Sequence, residues 1–419
     1  MMMQPLVRLI ALLVLSTVVA NARVIADEAD PVALAYAELV ATMQSVAADL
    51  RDSPSFGSDA EQVAGYQHAL RSLMKGIEDG VLQDPDFPYF RKLDFWLKEG
   101  GDNPDQRYAF APVRGGETYR IWGRLGSATR VELQVYAGRA WDGTGKSVGY
   151  LGFEDIRIDQ DGRFEIELSS TPGKQNWINN TPETTTVFVR HIFADWDNTD
   201  PGEVHIDRVG YAGQRKPERS KEELAARIRA ATEMFAASAK TWPELVNKRF
   251  VNTRQPNTLS PPKDTYAAGG AKGRWISSGH YDLRDGQMLL IRVPKTEAPY
   301  QAIQLTDMWF ASTEYGNRLG SLNNTQSLLA PDNAFYYIVS ADDPGYANWL
   351  DPGPFERGTL LLRWDGLQRG LEAHEAPEIR VITMDDVAGV IPGFEHVDDV
   401  YREHQLSKRR QHLQQRSNR

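Results

Sequence analysis

The sequence predicts a mainly β protein: two jelly-roll-like or β-sandwich units with an N-terminal helical region and a helical connection. Three observations carry this reading. Across residues 101–215 and again across 256–385, short runs alternate apolar and polar residues with the period of a strand, as in Val131-Glu132-Leu133-Gln134-Val135-Tyr136. Gly, Asp, Asn and Pro separate the runs, which is the punctuation of a sandwich or jelly roll. The two stretches also share an order of features. Asp161-Gly162-Arg163-Phe164 leads to Asn176-Trp177 and then to Arg190, while Asp332-Asn333-Ala334-Phe335 leads to Asn348-Trp349 and then to Arg363. From Phe to Asn the spacings are 12 and 13, and from Asn to Arg they are 14 and 15. Agreement within one residue at each step points to two related β units.

The elements follow in order. Residues 1–22 read as a secretory signal peptide: Arg8, an apolar run from Leu9 to Ala20, then Ala20-Asn21-Ala22 as a small-x-small cleavage site. The run is short for a spanning helix, so an uncleaved anchor is the lesser alternative. Residues 23–100 form a helical region. One helix places Leu34, Leu39, Val40, Met43, Val46, Ala47 and Leu50 on a broad face. A second, capped by Ser58 or Asp59, carries Val63, Tyr66, Leu70, Leu73 and Ile77. The first β unit spans 101–215, with strands near 119–122, 131–136, 150–153, 156–158, 164–168 and 186–193 and a tight turn at Asp161-Gly162. A helical connection covers 216–255, with Ser220 and Glu223 as a capping box and a second short helix starting at Thr241 to Glu244. A polar loop from Asn252 to Lys272 reads as a linker or lid. The second β unit spans 256–385, with strands near 288–293, 300–305, 335–339, 359–364 and 379–384. Residues 386–419 form a helical, basic tail with Lys408, Arg409, Arg410, Arg416 and Arg419, expected to be solvated and frayed.

Composition excludes several function classes. The 419 residues contain no cysteine, which removes lipid anchoring through cysteine, thiol catalysis and Cys-ligated metals. A formal net charge of −10 argues against nucleic acid as a partner. With the leader, these features predict a soluble periplasmic or secreted bacterial protein. No phosphate loop, dinucleotide fingerprint or Gly-x-Ser-x-Gly string occurs, so no cofactor is expected and a Ser-His-Asp hydrolase lacks its nucleophile turn.

Asp102-Asn103-Pro104, Tyr119-Arg120-Ile121, Asn176-Trp177, Arg190, Asp195-Trp196, Ser321-Leu322-Asn323, Asp343-Pro344, Asn348-Trp349 and Arg363-Trp364 together resemble the bacterial domain of unknown function 1214. The resemblance covers most of residues 90–370. It implies jelly-roll-like β domains. It brings no agreed activity and no established catalytic residues.

The candidate ligand-binding residues are Trp177, Arg190, Trp196, Trp309, Trp349 and Arg363. Indole faces can stack on flat ligands, and a guanidinium can hold a carboxylate, sulfate or phosphate in bidentate fashion. The competing reading is that Asn-Trp anchors a turn and the arginine pairs internally, and the doubling favours this, because an active site rarely occurs twice. The candidate catalytic residues are Asp195, His191 and Arg190, for hydrolase or lyase chemistry. His191 and Asp195, four residues apart, could also share a metal with His205, although no zinc motif is present. Three functions follow. The first is binding of a small organic ligand, a sugar or an aromatic or sterol-like anion, in an aromatic- and arginine-lined cleft between the β units. The alternatives are a hydrolase or lyase, and a structural or assembly protein.

Overall fold

The computed structural model describes residues 30–417, apart from positions 94, 140–143, 174, 199 and 267–269. The leader assigned to residues 1–22 lies outside the described residues. No described helix is long and apolar enough to cross a membrane.

Three helices form one unit. Helix α1 (Pro31–Arg51) begins where Asp30 accepts from the Val32 amide at 3.0 Å, with Pro31 in the first turn. Helix α2 (Asp59–Gly76) carries a reciprocal capping box between Ser58 and Glu61. Helix α3 (Lys221–Val246) packs against both, so the N-terminal helical region and the helical connection share one core. A break before Pro243 was expected, but α3 runs through it. Proline leaves the carbonyl four residues back without its helical donor. Here that carbonyl, on Ala239, is 3.0 Å from His68 Nε2 of α2, which supplies the missing donor.

The apolar faces predicted for α1 and α2 are partly wrong. Leu34, Val40, Met43, Val63, Tyr66 and Leu70 are exposed, whereas Ala35, Val46, Leu50, Ala64 and His68 are buried. The helices meet through small residues. A Cβ on Gly76 would stand 2.6 Å from the Ala231 carbonyl oxygen, and one on Gly65 would stand 2.5 Å from the Trp309 indole. Close approach through glycine and alanine turns the larger side chains outward.

Apart from helical segments near the C-terminus, the remainder is mainly β, in two units with the same topology. In the first, β1 (Arg91–Leu93), β2 (Gln106–Pro112), β4 (Arg130–Ala137), β5 (Lys146–Leu151) and β8 (Thr184–Ile192) form a sheet ordered β1-β2-β8-β4-β5. Strands β3 (Tyr119–Arg124), β6 (Arg163–Ser169), β7 (Trp177–Asn179) and β9 (Glu203–Arg208) form a second sheet ordered β7-β6-β3-β9. In the second unit, β10 (Thr258–Leu259), β12 (Trp275–Asp282), β14 (Tyr300–Thr306), β15 (Ser321–Asn323) and β18 (Arg357–Asp365) are ordered β10-β12-β18-β14-β15, with β11 (Lys263–Asp264) also on β12. Strands β13 (Met288–Pro294), β16 (Ala334–Val339), β17 (Trp349–Leu350) and β19 (Glu378–Ile382) are ordered β17-β16-β13-β19. Each unit is a two-layer sandwich with its own apolar core.

Two sequence expectations fail locally. Ile156 to Ile158 is no strand, and the Asn252 to Lys272 loop is no free linker, because β10 and β11 close an edge of β12. The C-terminal tail is corrected too. Helix α4 (Asp399–Ser417) is docked, with Arg402, Arg409, His412, Leu413 and Arg416 buried. Its arginines are spent on main-chain oxygens of both units: Arg409 donates to Tyr315 and Ser321 at 2.9 Å each, and Arg416 donates to Pro104 at 2.7 Å. Arg409 and Arg416, which looked solvated in the sequence, are fixed by main-chain carbonyls, whereas Lys408 and Arg410 are exposed as expected.

The repeated Asn-Trp pattern has a structural explanation. Asn176 donates to the Arg157 and Glu165 carbonyls and accepts from the Arg157 amide. Asn348 does the same with the Leu328 and Tyr336 carbonyls and the Leu328 amide. Each following tryptophan starts a short parallel strand, on β6 or β16. The asparagine side chain replaces a strand where the chain cannot form one. Asn348 is fully buried, so Asn348→Ala strands two carbonyls and one amide. The expected cost is about 3 kcal/mol in urea unfolding. The same change at partly exposed Asn176 should cost clearly less, and equal losses would contradict this account.

Candidate functional site

The two sandwiches pack through equivalent faces. On β8 and β4, Val187, Val189, Val131, Leu133 and Val135 fill the core of the first unit, which sends Arg190, Glu132 and Gln134 to the other side of the sheet. On β18 and β14, Leu360, Leu362, Trp364, Ile303 and Leu305 fill the second core, which sends Arg363, Asp365, Ala302 and Gln304 outward. These two polar faces meet. The molecule is therefore four sheets deep, with a buried charged seam at its middle.

Every charge in the seam has partners. Arg274, on the chain entering β12, binds Asp365 through two nitrogens at 2.6 Å each and reaches Glu132 at 3.2 Å, across the unit boundary. Burial acts against its positive charge, but Asp365 and Glu132 outweigh that and hold the guanidinium well above its usual range. Arg190 donates to Gln134 at 2.8 Å, lies 3.4 Å from Glu132 and covers the Phe188 ring. Arg363 donates to the Gly101 carbonyl at 2.7 Å and to Gln304. The two arginines of the sequence repeat thus share one interface. Burial raises the phenol of Tyr108, and the charges of Arg363 and Arg190 both oppose that rise.

Farther along, Tyr300 donates to Asp105 at 2.7 Å, and Trp196 Nε1 and Asn323 Nδ2 reach the other Asp105 oxygen at 2.8 and 3.0 Å. Burial raises the Asp105 carboxyl despite these donors. Trp196 stacks on His412 of α4 at 4.7 Å, with Arg409 over its face. This end of the seam is sealed.

The opposite end opens into a cleft of about 310 Å³ at the junction of the units. Tyr150, Gly152, Glu154 and Asp155 form one wall; Asp264, Lys272, Trp275 and the turn Gly366–Gly370 form the other. The Tyr150 hydroxyl donates to Glu132 at 3.0 Å, which couples the cleft wall to the seam. Burial, then the negative charge of Glu132, raises the Tyr150 phenol far above its ordinary value, so it stays protonated. With its proton committed inward, the phenol oxygen offers an acceptor to the cleft. Arg369 is held at two points by Glu375, at 2.7 Å each. Lys272 has no ion-pair partner among the described residues and is exposed. Burial pushes the Glu154 carboxyl up, but the Arg130 bond and charge outweigh this and the net shift is downward.

A junction cleft was expected, yet none of the six candidate binding residues lines it. Arg190 and Arg363 are consumed in the seam. Trp196 seats the C-terminal helix. Trp309 lies under the helical unit, donating to the Glu61 carbonyl at 2.8 Å and stacked on His68. Trp177 and Trp349 sit in separate outer sheets, donating to the Ser169 hydroxyl and the Ser340 carbonyl. The catalytic candidates do not assemble either. Arg190 faces the seam, and its neighbour His191 faces the other side of the sheet, fully buried. Asp195 is exposed and caps its own turn through the Asp197 amide. His205 is exposed on the outer sheet, so no metal is shared with His191. Among the described residues no group of three His, Asp or Glu side chains is placed to hold a metal ion.

The fold has a counterpart of known structure. An uncharacterised protein from Burkholderia cenocepacia superposes with a TM-score of 0.76 at 25% identity, over 84% of this chain and 97% of that one. A Vibrio parahaemolyticus protein aligns at 12% identity over 76% of this chain and 98% of its own, with a TM-score of 0.44. Salicylate 1,2-dioxygenase from Pseudoaminobacter salicylatoxidans aligns at 11% identity over 77% and 83%, with a TM-score of 0.20, too low to bear on function. No family model matches the chain. No curated protein matches it.

Proposed function

We propose that this chain is an extracytoplasmic binding protein for a small ring-bearing acid, a sugar acid or a hydroxylated aromatic acid, held in the junction cleft. The observation that carries the reading is the pairing of Tyr150 and Trp275 with Lys272 and Arg369 in one cleft contributed by both units. Aromatic walls supply area for a ring face. An exposed ammonium, with no ion-pair partner among the described residues, and a fixed guanidinium in the same cleft supply charge-assisted donors for a carboxylate. The Tyr150 oxygen accepts from a ligand hydroxyl. A cleft of about 310 Å³ is at the small end of ligand sites, which favours a single ring over a sterol. The apolar leader of residues 1–22 supports an extracytoplasmic location.

The test is a heat-shift screen with glucuronate, galacturonate, benzoate, 4-hydroxybenzoate and neutral glucose, followed by calorimetry. A ligand at a hundred times its Kd stabilises by about 2.7 kcal/mol. Trp275→Ala should weaken binding about tenfold or more, and Lys272→Ala should erase the preference for the acid over its neutral analogue. If no compound raises the melting temperature, or if Trp275→Ala leaves the response intact, the cleft is not the ligand site.

A further inference from the structure

The two units differ on their outer sheets in a way the shared topology does not require. In the second unit, the outer face of β13 and β16 presents Met288, Leu290, Tyr336 and Ile338, and the segment carrying Val387 and Ile391 covers it. Register aligns Phe164 with Phe335, since each is followed along its strand by the same in-out alternation and paired with β3 or β13. The positions of Tyr336 and Ile338 are then Glu165 and Glu167, and that of Leu290 is Arg120. In the first unit this face has no such cover among the described residues. It forms an open groove of about 1150 Å³, floored by Arg120, Trp122, Glu165 and Glu167 and rimmed by Arg157, Asp159, Arg163, Pro172, Gln175 and Asn176.

We infer that this groove is a second binding site, for a neutral polysaccharide chain. Among the described lining residues, four guanidinium groups (Arg120, Arg124, Arg157, Arg163) stand with four carboxylates (Asp159, Glu165, Glu167, Glu203). That balance gives no net pull on a polyanion or a polycation. Donor-only and acceptor-only groups set side by side match a hydroxyl, which donates and accepts at once. Arg120 and Glu165 stand 2.6 Å apart, and the side chains of Arg157 and Arg163 have no partner among the described residues. Trp122 lies in the floor, half-buried, its ring kept flat by His205 at 5.3 Å and Arg120 at 4.6 Å. An indole set among hydroxyl-binding groups offers apolar area to the C–H surface of a sugar ring. At about 1150 Å³ the open groove lies above the range of pockets for one small molecule, which leaves room for a chain of rings.

The experiment is retention of the full protein on insoluble cellulose, xylan, chitin and curdlan, with affinity electrophoresis in their soluble oligomers. At least one neutral polysaccharide should retain the protein. Trp122→Ala and, separately, the exposed Arg163→Glu should each weaken that retention about tenfold or more, while Trp275→Ala in the junction cleft leaves it unchanged. The Arg163 variant stands if Trp122→Ala fails to fold. Three binding results overturn the proposal: no retention on any neutral polymer, retention that both variants preserve, or binding confined to anionic alginate or heparin and lost at about 0.5 M salt. A Trp122→Ala variant whose only change is dissociation of a dimer in gel filtration would also overturn it, assigning the face to a second copy.

Discussion

Arg274→Met should lower unfolding stability by about 3–5 kcal/mol, the cost of breaking a buried ion pair by removing one partner. The reason lies in what is left. Asp365 is 3% exposed and loses the two Arg274 N–H donors, at 2.6 Å each, when Arg274 goes. Glu132 loses its link to the second unit and keeps Arg190 and Tyr150. The loss is therefore centred on one stranded carboxylate. Adding Asp365→Leu should return most of the stability, because an apolar pair of similar volume avoids the desolvation that the ion pair only offsets. Urea unfolding of the single, the double and the parent protein measures this. A single variant within 1 kcal/mol of the parent would show the seam to be wet and the charges separately solvated. Ligand response in the junction cleft should fall in the single variant as well, since Tyr150 takes its orientation from Glu132.

The fold was largely legible in the sequence, and the site was not, for a common reason. Alternation along β4 and β8 located the strands and one apolar face of each. It could not say that the polar face was also buried. Glu132, Gln134 and Arg190 look solvated from their residue types, and only a second unit lying on them makes them interior. The doubling of Asn-Trp to Arg correctly announced two related units. It misdirected the search for a site, because each asparagine is a local brace and each arginine is part of the weld between units. The cleft residues carry weak sequence signals: Lys272 and Trp275 follow a Gly pair in a polar loop, and Tyr150 opens a short apolar run. Nothing in their spacing brings residues 150, 272 and 369 together; the packing of unit on unit does. The C-terminal helix was misread on composition alone. Its arginines serve carbonyl oxygens of loops near Pro104, Tyr315 and Ser321, which no local pattern records.

Acid should destabilise the protein through buried neutral histidines. Burial is the largest cause in each case, lowering His68 to about 4 and His412 to about 2 and holding His191 well below its ordinary value. A depressed histidine is neutral in the folded chain and binds its proton more readily when unfolded. Its stabilising contribution is present above about pH 6.5 and is lost as pH falls from there towards the folded value. At pH 5, His68 and His412 each remove about 2 kcal/mol, and His191 adds to the loss. Asp307 acts in the opposite sense. Burial raises it to about 6, so its penalty at neutral pH is relieved on acidification, returning about 1.4 kcal/mol between pH 7 and 5. Asp102 and Asp105, raised by burial as well, share that sign. The loss from His68 and His412 together exceeds the return from Asp307, and it falls on a fold whose whole stability is on the order of 5–15 kcal/mol. The urea midpoint should fall steadily from pH 7 to pH 4.5. His412 stacks on Trp196 and sits between Arg409 and Arg416, so its protonation adds a third positive charge to α4 where that helix meets the seam. Proteolysis near residues 395–400 should therefore rise before global unfolding. In His412→Gln, both the midpoint slope and this early cleavage should decrease. A midpoint that holds or rises down to pH 5 would mean that the three carboxyls outweigh the histidines.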